Sequence, residues 1–96
     1  MAWLVDEQTG RQYQLFKGDT RIGRKAEVND IVLNDPTVSR EHALIRETNG
    51  VFTIYDRGSR GGTFVNAQKI RQPVILYHGD VIELGETRLT FMSSQH

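Results

Sequence analysis

The strongest constraint on the fold of this 96-residue chain is a pair of alternating segments around Asn49-Gly50. Residues 42–47 and residues 51–56 each alternate polar and apolar side chains, which is the period of a half-buried strand. Asn-Gly is the residue pair that a two-residue hairpin turn prefers. This region therefore predicts a β-hairpin, whose loop could be longer if it includes Thr48.

The rest of the chain follows the same pattern. Residues 81–84 and 88–92 flank Gly85-Glu86 and predict a second hairpin. No stretch keeps the 3.6-residue apolar period of an amphipathic helix. Short strands with glycine, asparagine and aspartate between them are typical of an all-β sandwich or barrel. Further strands are predicted at residues 2–6, 12–16, 20–23 and 31–33.

The length of the chain allows one domain, residues 1–96. A chain of this size buries somewhat over about 60% of the surface that its unfolded form exposes, which is enough for independent folding. We expect the core to extend over about residues 3–92, and residues 93–96 to form a frayed tail.

Composition excludes several classes of function. Twelve basic and twelve acidic residues give a net charge of zero, which argues against nucleic-acid binding by bulk charge. The absence of cysteine excludes disulfides and cysteine-ligated metals. The longest apolar run, residues 73–77, is too short to span a membrane, and Asp6 comes too early for a secretory signal. We expect a cytoplasmic monomer without nucleic-acid or membrane partners.

Three polar, glycine-rich segments lie between the predicted strands, at residues 23–25, 37–42 and 57–63. Loops on a rigid sheet scaffold are where binding residues concentrate. Ser39 and His42 could form a nucleophile and base, but no orienting acid or glycine elbow accompanies them. We favour the alternative that Ser39 donates its hydroxyl to an anion and that His42 fastens a loop by bonding to backbone.

The glycine-rich segment 58–63 resembles a phosphate-binding loop in composition. It lacks the Gly-Lys-Ser/Thr ending of a nucleotide P-loop, and a strand is predicted after it, so nucleotide binding is not expected. Its amides could still form an anion-binding concavity, or simply a turn. His42, His78 and His96 lack metal-ligand spacing, and we expect neither a metal nor a cofactor.

Together the three segments resemble the forkhead-associated (FHA) domain. Gly23-Arg24 precedes Ser39-Arg40-Glu41-His42, which matches the family's G-R and S-R-x-H motifs. Residues 56–66 are similar to the family's D-x-x-S-x-N-G-T-x-V-N segment, and residues 79–82 fit its G-D-x-I segment. The resemblance extends from Leu4 to Phe91 and is specific because the motifs occur in the family's order and spacing.

The resemblance implies a β-sandwich of about eleven strands whose loops at one end bind phosphothreonine. It implies no enzymatic activity, and it implies a partner protein phosphorylated by an upstream Ser/Thr protein kinase. Matching by position implies the following roles. The phosphopeptide-binding residues are Arg24, Ser39, Arg40, Arg60 and Gly61, and the residues that hold the loops are Gly23, His42, Gly62, Thr63 and Asn66.

Gly61 departs from the family pattern, which has asparagine before Gly62. The family's asparagine side chain bonds to the peptide backbone beside the phosphothreonine, and glycine has no such side chain. This departure keeps an alternative open, namely a phospho-independent interaction or intramolecular docking module on the same fold. Arg24 and Ser39 favour phosphothreonine binding instead.

Overall fold

The alternation in the sequence becomes eleven strands in the computed structural model, which describes residues 1–94. The predicted all-β architecture of about eleven strands is confirmed. One turn of 3-10 helix at Ala26–Val28 was not predicted. The strands are β1 (Ala2–Asp6), β2 (Gln12–Leu15), β3 (Gly18–Gly23), β4 (Ile31–Val32), β5 (Ala43–Thr48), β6 (Val51–Asp56), β7 (Thr63–Val65), β8 (Gln68–Lys69), β9 (Val74–Ile75), β10 (Val81–Leu84) and β11 (Thr87–Ser93).

The strands form two sheets. One has six strands in the order β2-β1-β11-β10-β7-β8, and the other has five in the order β4-β3-β5-β6-β9. Every pair is antiparallel except β3 with β4, which is parallel. The alternating apolar side chains of both sheets fill the core between them. Its largest fully buried members are Phe91, Leu4, Ile22, Ile45, Ile54, Ile82, Leu84 and Leu89.

The predicted hairpin around Asn49-Gly50 consists of β5 and β6. Thr48 pairs with Val51, so Thr48 belongs to the strand and the loop has two residues. Asn49 and Gly50 have φ angles of 52° and 83°, which is the left-handed conformation that a type I′ turn requires at both positions. This turn lies at one end of the sandwich.

Long loops lie at the opposite end, where β3 and β6 finish and β5 and β7 begin. They are the β3–β4 loop (residues 24–30), the β4–β5 loop (residues 33–42) and the β6–β7 loop (residues 57–62). We call this the loop end. The turn end comprises residues 16–17, 49–50 and 76–80.

The carboxyl-terminal part of the chain differs from the expected tail. Ser93 is the last residue of β11 and pairs with Ala2, and the amide of Ser94 donates to the carbonyl of Met1. Residues 95 and 96 of that tail lie outside the described residues. No helix in residues 1–94 is long and apolar enough to cross a membrane.

Candidate functional site

The β3–β4 and β4–β5 loops lie against each other through their backbones. The amide of Arg24 donates to the carbonyl of Ser39 at 3.0 Å, and that of Lys25 donates to the carbonyl of Arg40 at 3.2 Å. A Cβ at Gly23 would lie only 2.2 Å from the carbonyl oxygen of Arg40. Glycine is therefore required here because any side chain would separate the two loops.

Asn29 fastens the same two loops, although no sequence motif identifies this residue. Its buried side-chain amide donates to the carbonyl of Lys25 at 2.7 Å and to that of Arg40 at 2.6 Å. Both carbonyls belong to residues at the loop end. Asn29 thus fixes the backbone that carries Lys25 and Arg40.

Ser39 lies where the three loops meet. Its amide donates to Nδ1 of His42 at 3.1 Å, and its hydroxyl oxygen accepts the amide of Arg60 at 2.9 Å. No acceptor for the hydroxyl proton lies within hydrogen-bonding distance among residues 1–94. The Ser39 hydroxyl is thus positioned by the β6–β7 loop and keeps its proton for an external acceptor.

His42 joins the β4–β5 loop to the β6–β7 loop from a fully buried position. Its Nδ1 accepts from the amide of Ser39, so the neutral ring carries its proton on Nε2, which lies 2.8 Å from the carbonyl of Gly62. Both ring nitrogens are therefore used by backbone groups. Neither is bonded to the Ser39 hydroxyl, as a general base would need to be.

The carboxylate of Asp56 organises the β6–β7 loop. It accepts the amides of Gly58 and Ser59 and the hydroxyls of Ser59 and Thr63. Burial acts to raise the pKa of Asp56, but these hydrogen bonds outweigh it and the pKa lies below its ordinary value. The Ser59 hydroxyl oxygen also accepts the amide of Gly62 at 2.9 Å. The Asp-x-Gly-Ser sequence is a signal of this turn that the sequence interpretation did not use.

A second carboxylate, that of Asp35, ties the β4–β5 loop to the turn between β10 and β11. It accepts the amide and hydroxyl of Thr37, the amide of Glu86 and the hydroxyl of Thr87. Burial alone would raise the pKa of Asp35, yet the hydrogen bonds lower it below its ordinary value.

Arg24 has one part of its guanidinium fixed and one part free. Its Nε donates to the carbonyl of Val38 at 2.9 Å. The terminal nitrogens make no hydrogen bond or ion pair with the residues that the structure describes, and the side chain is exposed. The guanidinium of Arg24 is therefore held in place by the carbonyl of Val38, while its charge is exposed and forms no ion pair within residues 1–94.

The other predicted binding residues also lie at the loop end. Arg40 and Arg60 are exposed, and neither forms an ion pair within residues 1–94. Gly61 is exposed, its φ is not in the left-handed region, and a Cβ there would meet nothing within 4 Å. The site at position 61 is therefore open to a side chain.

Two neighbouring arginines are neutralised by acids. Arg21 pairs with Asp30 at 3.2 Å, and Arg57 pairs with Glu41 at 2.7 Å. The unpaired cations of the three loops in the described chain are therefore Arg24, Lys25, Arg40 and Arg60.

The family resemblance gives Asn66 a loop-holding role, and the structure shows its hydrogen-bond partners. It follows β7 and lies towards the turn end, where its amide nitrogen donates to Asp80 and its oxygen accepts the amide of Val81, both at 3.0 Å. It makes no hydrogen bond with the three loops. Two consecutive left-handed residues, Asn66 and Ala67, form the β7–β8 turn, which explains an asparagine here.

No cluster of three or more histidine, cysteine, aspartate or glutamate residues within 1–94 could hold a metal ion.

The chain matches known proteins along nearly its full length. The model of the FHA domain matches residues 20–85. The transcriptional regulatory protein EmbR of Mycobacterium tuberculosis is 42% identical over 94 residues, covering 98% of this chain and 24% of EmbR. The oxoglutarate dehydrogenase inhibitor of Corynebacterium glutamicum is 40% identical over 84 residues, covering 88% of this chain and 57% of the inhibitor. The chain thus spans less than two thirds of either relative.

Solved structures agree with this family match. A structure from a study of phosphothreonine-dependent FHA domain interactions has a TM-score of 0.93 and 34% identity, and the match covers 99% of this chain and 98% of that one. EmbR in complex with a low affinity phosphopeptide has a TM-score of 0.91 and 40% identity, covering 99% of this chain and 25% of EmbR.

Proposed function

The chain belongs to the forkhead-associated domain family, and on that premise we propose that it is a phosphothreonine-dependent peptide- and protein-binding module in Ser/Thr kinase signalling. Proteins of this family are binding modules, and the relatives named above are a regulator and an inhibitor. EmbR has been solved with a bound phosphopeptide. Transcriptional regulation and enzyme inhibition are properties of those longer relatives.

The observation that carries the proposal is that Arg24 and Ser39 lie on adjoining loops, each with protons that no other group accepts within residues 1–94. One guanidinium, held at Nε by Val38, and one hydroxyl, held by the amide of Arg60, both keep protons for an external acceptor on two adjoining loops. A phosphate dianion accepts several hydrogen bonds and is best bound by charged donors. Each such bond contributes about 1.5–3 kcal/mol.

Arg40 and Arg60 take flanking positions in this proposal. Both are exposed cations on loops that Ser39, His42 and Asn29 fasten in place. Because these loops are held before a ligand arrives, little ordering entropy opposes binding. A phosphate and a short peptide offer a small interface, so a micromolar Kd, about −8 kcal/mol, is expected.

The proposal contains no catalytic step. Both nitrogens of His42 are engaged by backbone groups, so Ser39 has no base from this residue. The proposal places the domain in the cytoplasm as a monomer, with a phosphorylated protein as its partner. In this proposal, an upstream Ser/Thr protein kinase phosphorylates that partner protein.

A titration with a phosphothreonine peptide library and matched unphosphorylated peptides tests the proposal. Binding is expected for phosphorylated peptides, and Arg24→Ala is expected to weaken it at least tenfold, about 1.4 kcal/mol, with little change in stability. Lys17→Ala, which removes an exposed cation from the turn end, is the matched control and should change nothing. Equal affinity of Arg24→Ala and the wild-type protein would exclude this site.

Gly61 favours a second candidate, a docking module on the same fold that does not depend on phosphate. The exposed loop lacks the asparagine with which the family holds the peptide backbone. The unphosphorylated peptides in the same titration separate the two candidates. Binding that is equal with and without phosphate would favour the second.

A further inference from the structure

Four cations outside the three loops form no ion pair within residues 1–94, and two of these four, Lys69 and Arg71, lie close together in the sequence. Lys69 ends β8, and Arg71 follows it in the segment before β9. Both are exposed, and neither forms an ion pair with the part of the chain that the structure describes. Lys69 and Arg71 therefore place exposed positive charge in and directly after β8.

Lys69 lies directly beside the β6–β7 loop. A Cβ added to Gly62 would be 2.7 Å from Cε and 3.4 Å from Nζ of Lys69. The lysine side chain therefore packs over Gly62, next to the open position at Gly61. Its ammonium group extends the cationic surface of the loop end onto β8.

Arg71 continues this surface away from the loop end. A cleft of about 230 Å³ is lined by Tyr55, Asp56, Ile70 and Arg71, among others. A second cleft of about 560 Å³ shares Ile70 and Arg71 with the first and also contains Lys69. The two clefts adjoin along residues 70–72, and the first also reaches Asp56, which directly precedes the β6–β7 loop. We call the two adjoining clefts the β8 groove.

The acids that line the β8 groove are already engaged. Asp56 accepts four hydrogen bonds from its own loop, and Asp80 accepts from Asn66 and from the amide of Tyr77. These two acids keep their charge but are only partly exposed, whereas Lys69 and Arg71 are exposed, so the charge that the groove presents to solvent is mainly positive. This positive charge complements an acidic ligand.

The backbone along the groove is also available. β8 is one of the two edge strands of its sheet. The amide of Ile70 donates to the carbonyl of Thr63, so by strand alternation the amide and carbonyl of Lys69 point away from β7. An exposed strand edge can pair with an extended peptide.

We propose that the β8 groove binds an extended acidic segment of the same partner that carries the phosphothreonine, with Lys69 and Arg71 as the specificity-determining residues. This inference rests on the proposed function, because the groove begins beside the phosphate-binding loops. Lys69 contacts the acidic residues of the segment that lie nearest Gly62. Arg71 contacts acidic residues further along the segment.

The test uses three phosphothreonine peptides, one with neutral flanks, one with three glutamates before the phosphothreonine and one with three after it. For the wild-type protein, one of the acidic peptides should bind about fivefold more tightly than the neutral peptide, the sum of two exposed ion pairs. This preference should decrease as salt is raised.

Lys69→Glu with Arg71→Glu should abolish the preference for the acidic peptide while leaving binding of the neutral peptide within about twofold of wild type. Lys17→Glu, a charge reversal at the turn end, should keep the preference. Thermal unfolding of each variant verifies that it is folded.

The outcomes distinguish this inference from the proposed function. Equal affinity of the three peptides, or a preference that survives in the double variant, would overturn the inference while phosphothreonine binding stands. If the wild-type protein does not bind the neutral phosphopeptide more tightly than the unphosphorylated form of the same peptide, the proposed function fails and the inference fails with it.

Discussion

The loop end and the turn end of this sandwich are built by different means. The turn between β5 and β6 uses two residues, Asn49 and Gly50, whose left-handed backbone closes the hairpin without help from the core. The loops at the other end are held by buried or half-buried polar side chains. These are Asn29, Asp35, His42, Asp56 and Thr63.

The difference shows what a binding end requires. A tight turn satisfies its own backbone, whereas a long loop leaves amides and carbonyls that need partners. At the loop end those partners are side chains that reach between loops, such as His42 to Gly62 and Ser39 to Arg60. The loops are therefore held in place before binding, with exposed arginines on their surface.

The comparison predicts unequal roles for two histidines. His42→Ala removes two buried hydrogen bonds and the ring that fills the space between loops, so it should lower the free energy of unfolding by about 3 kcal/mol. His78→Ala is the matched change at the turn end, where exposed His78 accepts only the amide of Ser93 among the residues that the structure describes. It should cost less than about 1 kcal/mol. Urea denaturation measures both, and equal losses would contradict the distinction between the ends.

Asp56→Asn should destabilise the protein by about 2 kcal/mol at neutral pH, because an amide replaces a charged acceptor of four hydrogen bonds. Asp19→Asn is the control. Asp19 is an exposed acid that pairs with Arg46, so its replacement should have a smaller effect. Chemical denaturation at pH 7 compares the two variants.

Asp56→Asn and the wild-type protein together test the pH dependence of stability. The pKa of Asp56 in the folded protein lies below its ordinary 3.8, so its contribution to stability is present above that value and is lost as the pH falls through the folded pKa. The stability of Asp56→Asn should therefore depend less on pH than that of wild type between about pH 5 and pH 2. Parallel pH profiles for the two proteins would disagree with this account of the loop.

Gly61→Asn should have the smallest effect and should favour binding. The position is open and its φ is not left-handed, so an asparagine fits without strain. One new hydrogen bond to the peptide backbone would tighten phosphopeptide binding by about 0.5–1.5 kcal/mol. Isothermal titration of Gly61→Asn and Arg60→Ala with one peptide checks this. A large loss in Arg60→Ala with no gain in Gly61→Asn would assign the peptide contact to Arg60 instead.

The regular part of the fold could be predicted because its signals are local. Alternation over six residues and an Asn-Gly pair were sufficient to predict the β5–β6 hairpin, and β10 and β11 followed from the same reasoning. The order and spacing of Gly23-Arg24, the Ser39 motif and the Asp56 segment were sufficient to predict the family.

The fastening of the loops could not be predicted in this way, because its partners are far apart in the sequence. Asp35 bonds to Thr87, 52 residues away, and the amide of Arg60 bonds to Ser39, 21 residues away. The pairing of Arg21 with Asp30 and of Arg57 with Glu41 likewise depends on how the strands place them. The partners of Asn66 could not be predicted for a related reason, since Asp80 and Val81 lie 14 and 15 residues further along the chain.

The central claim is that the phosphothreonine binds at the loop end and that binding depends on phosphate. Backbone amide chemical shifts followed by NMR during titration with a phosphothreonine peptide test it most directly. The account predicts changes at Arg24, Ser39, Arg40, Arg60 and Gly61, none at Asn49, Gly50 and His78, and no response to the unphosphorylated peptide. Changes centred on the turn end, or the same changes without phosphate, would contradict it.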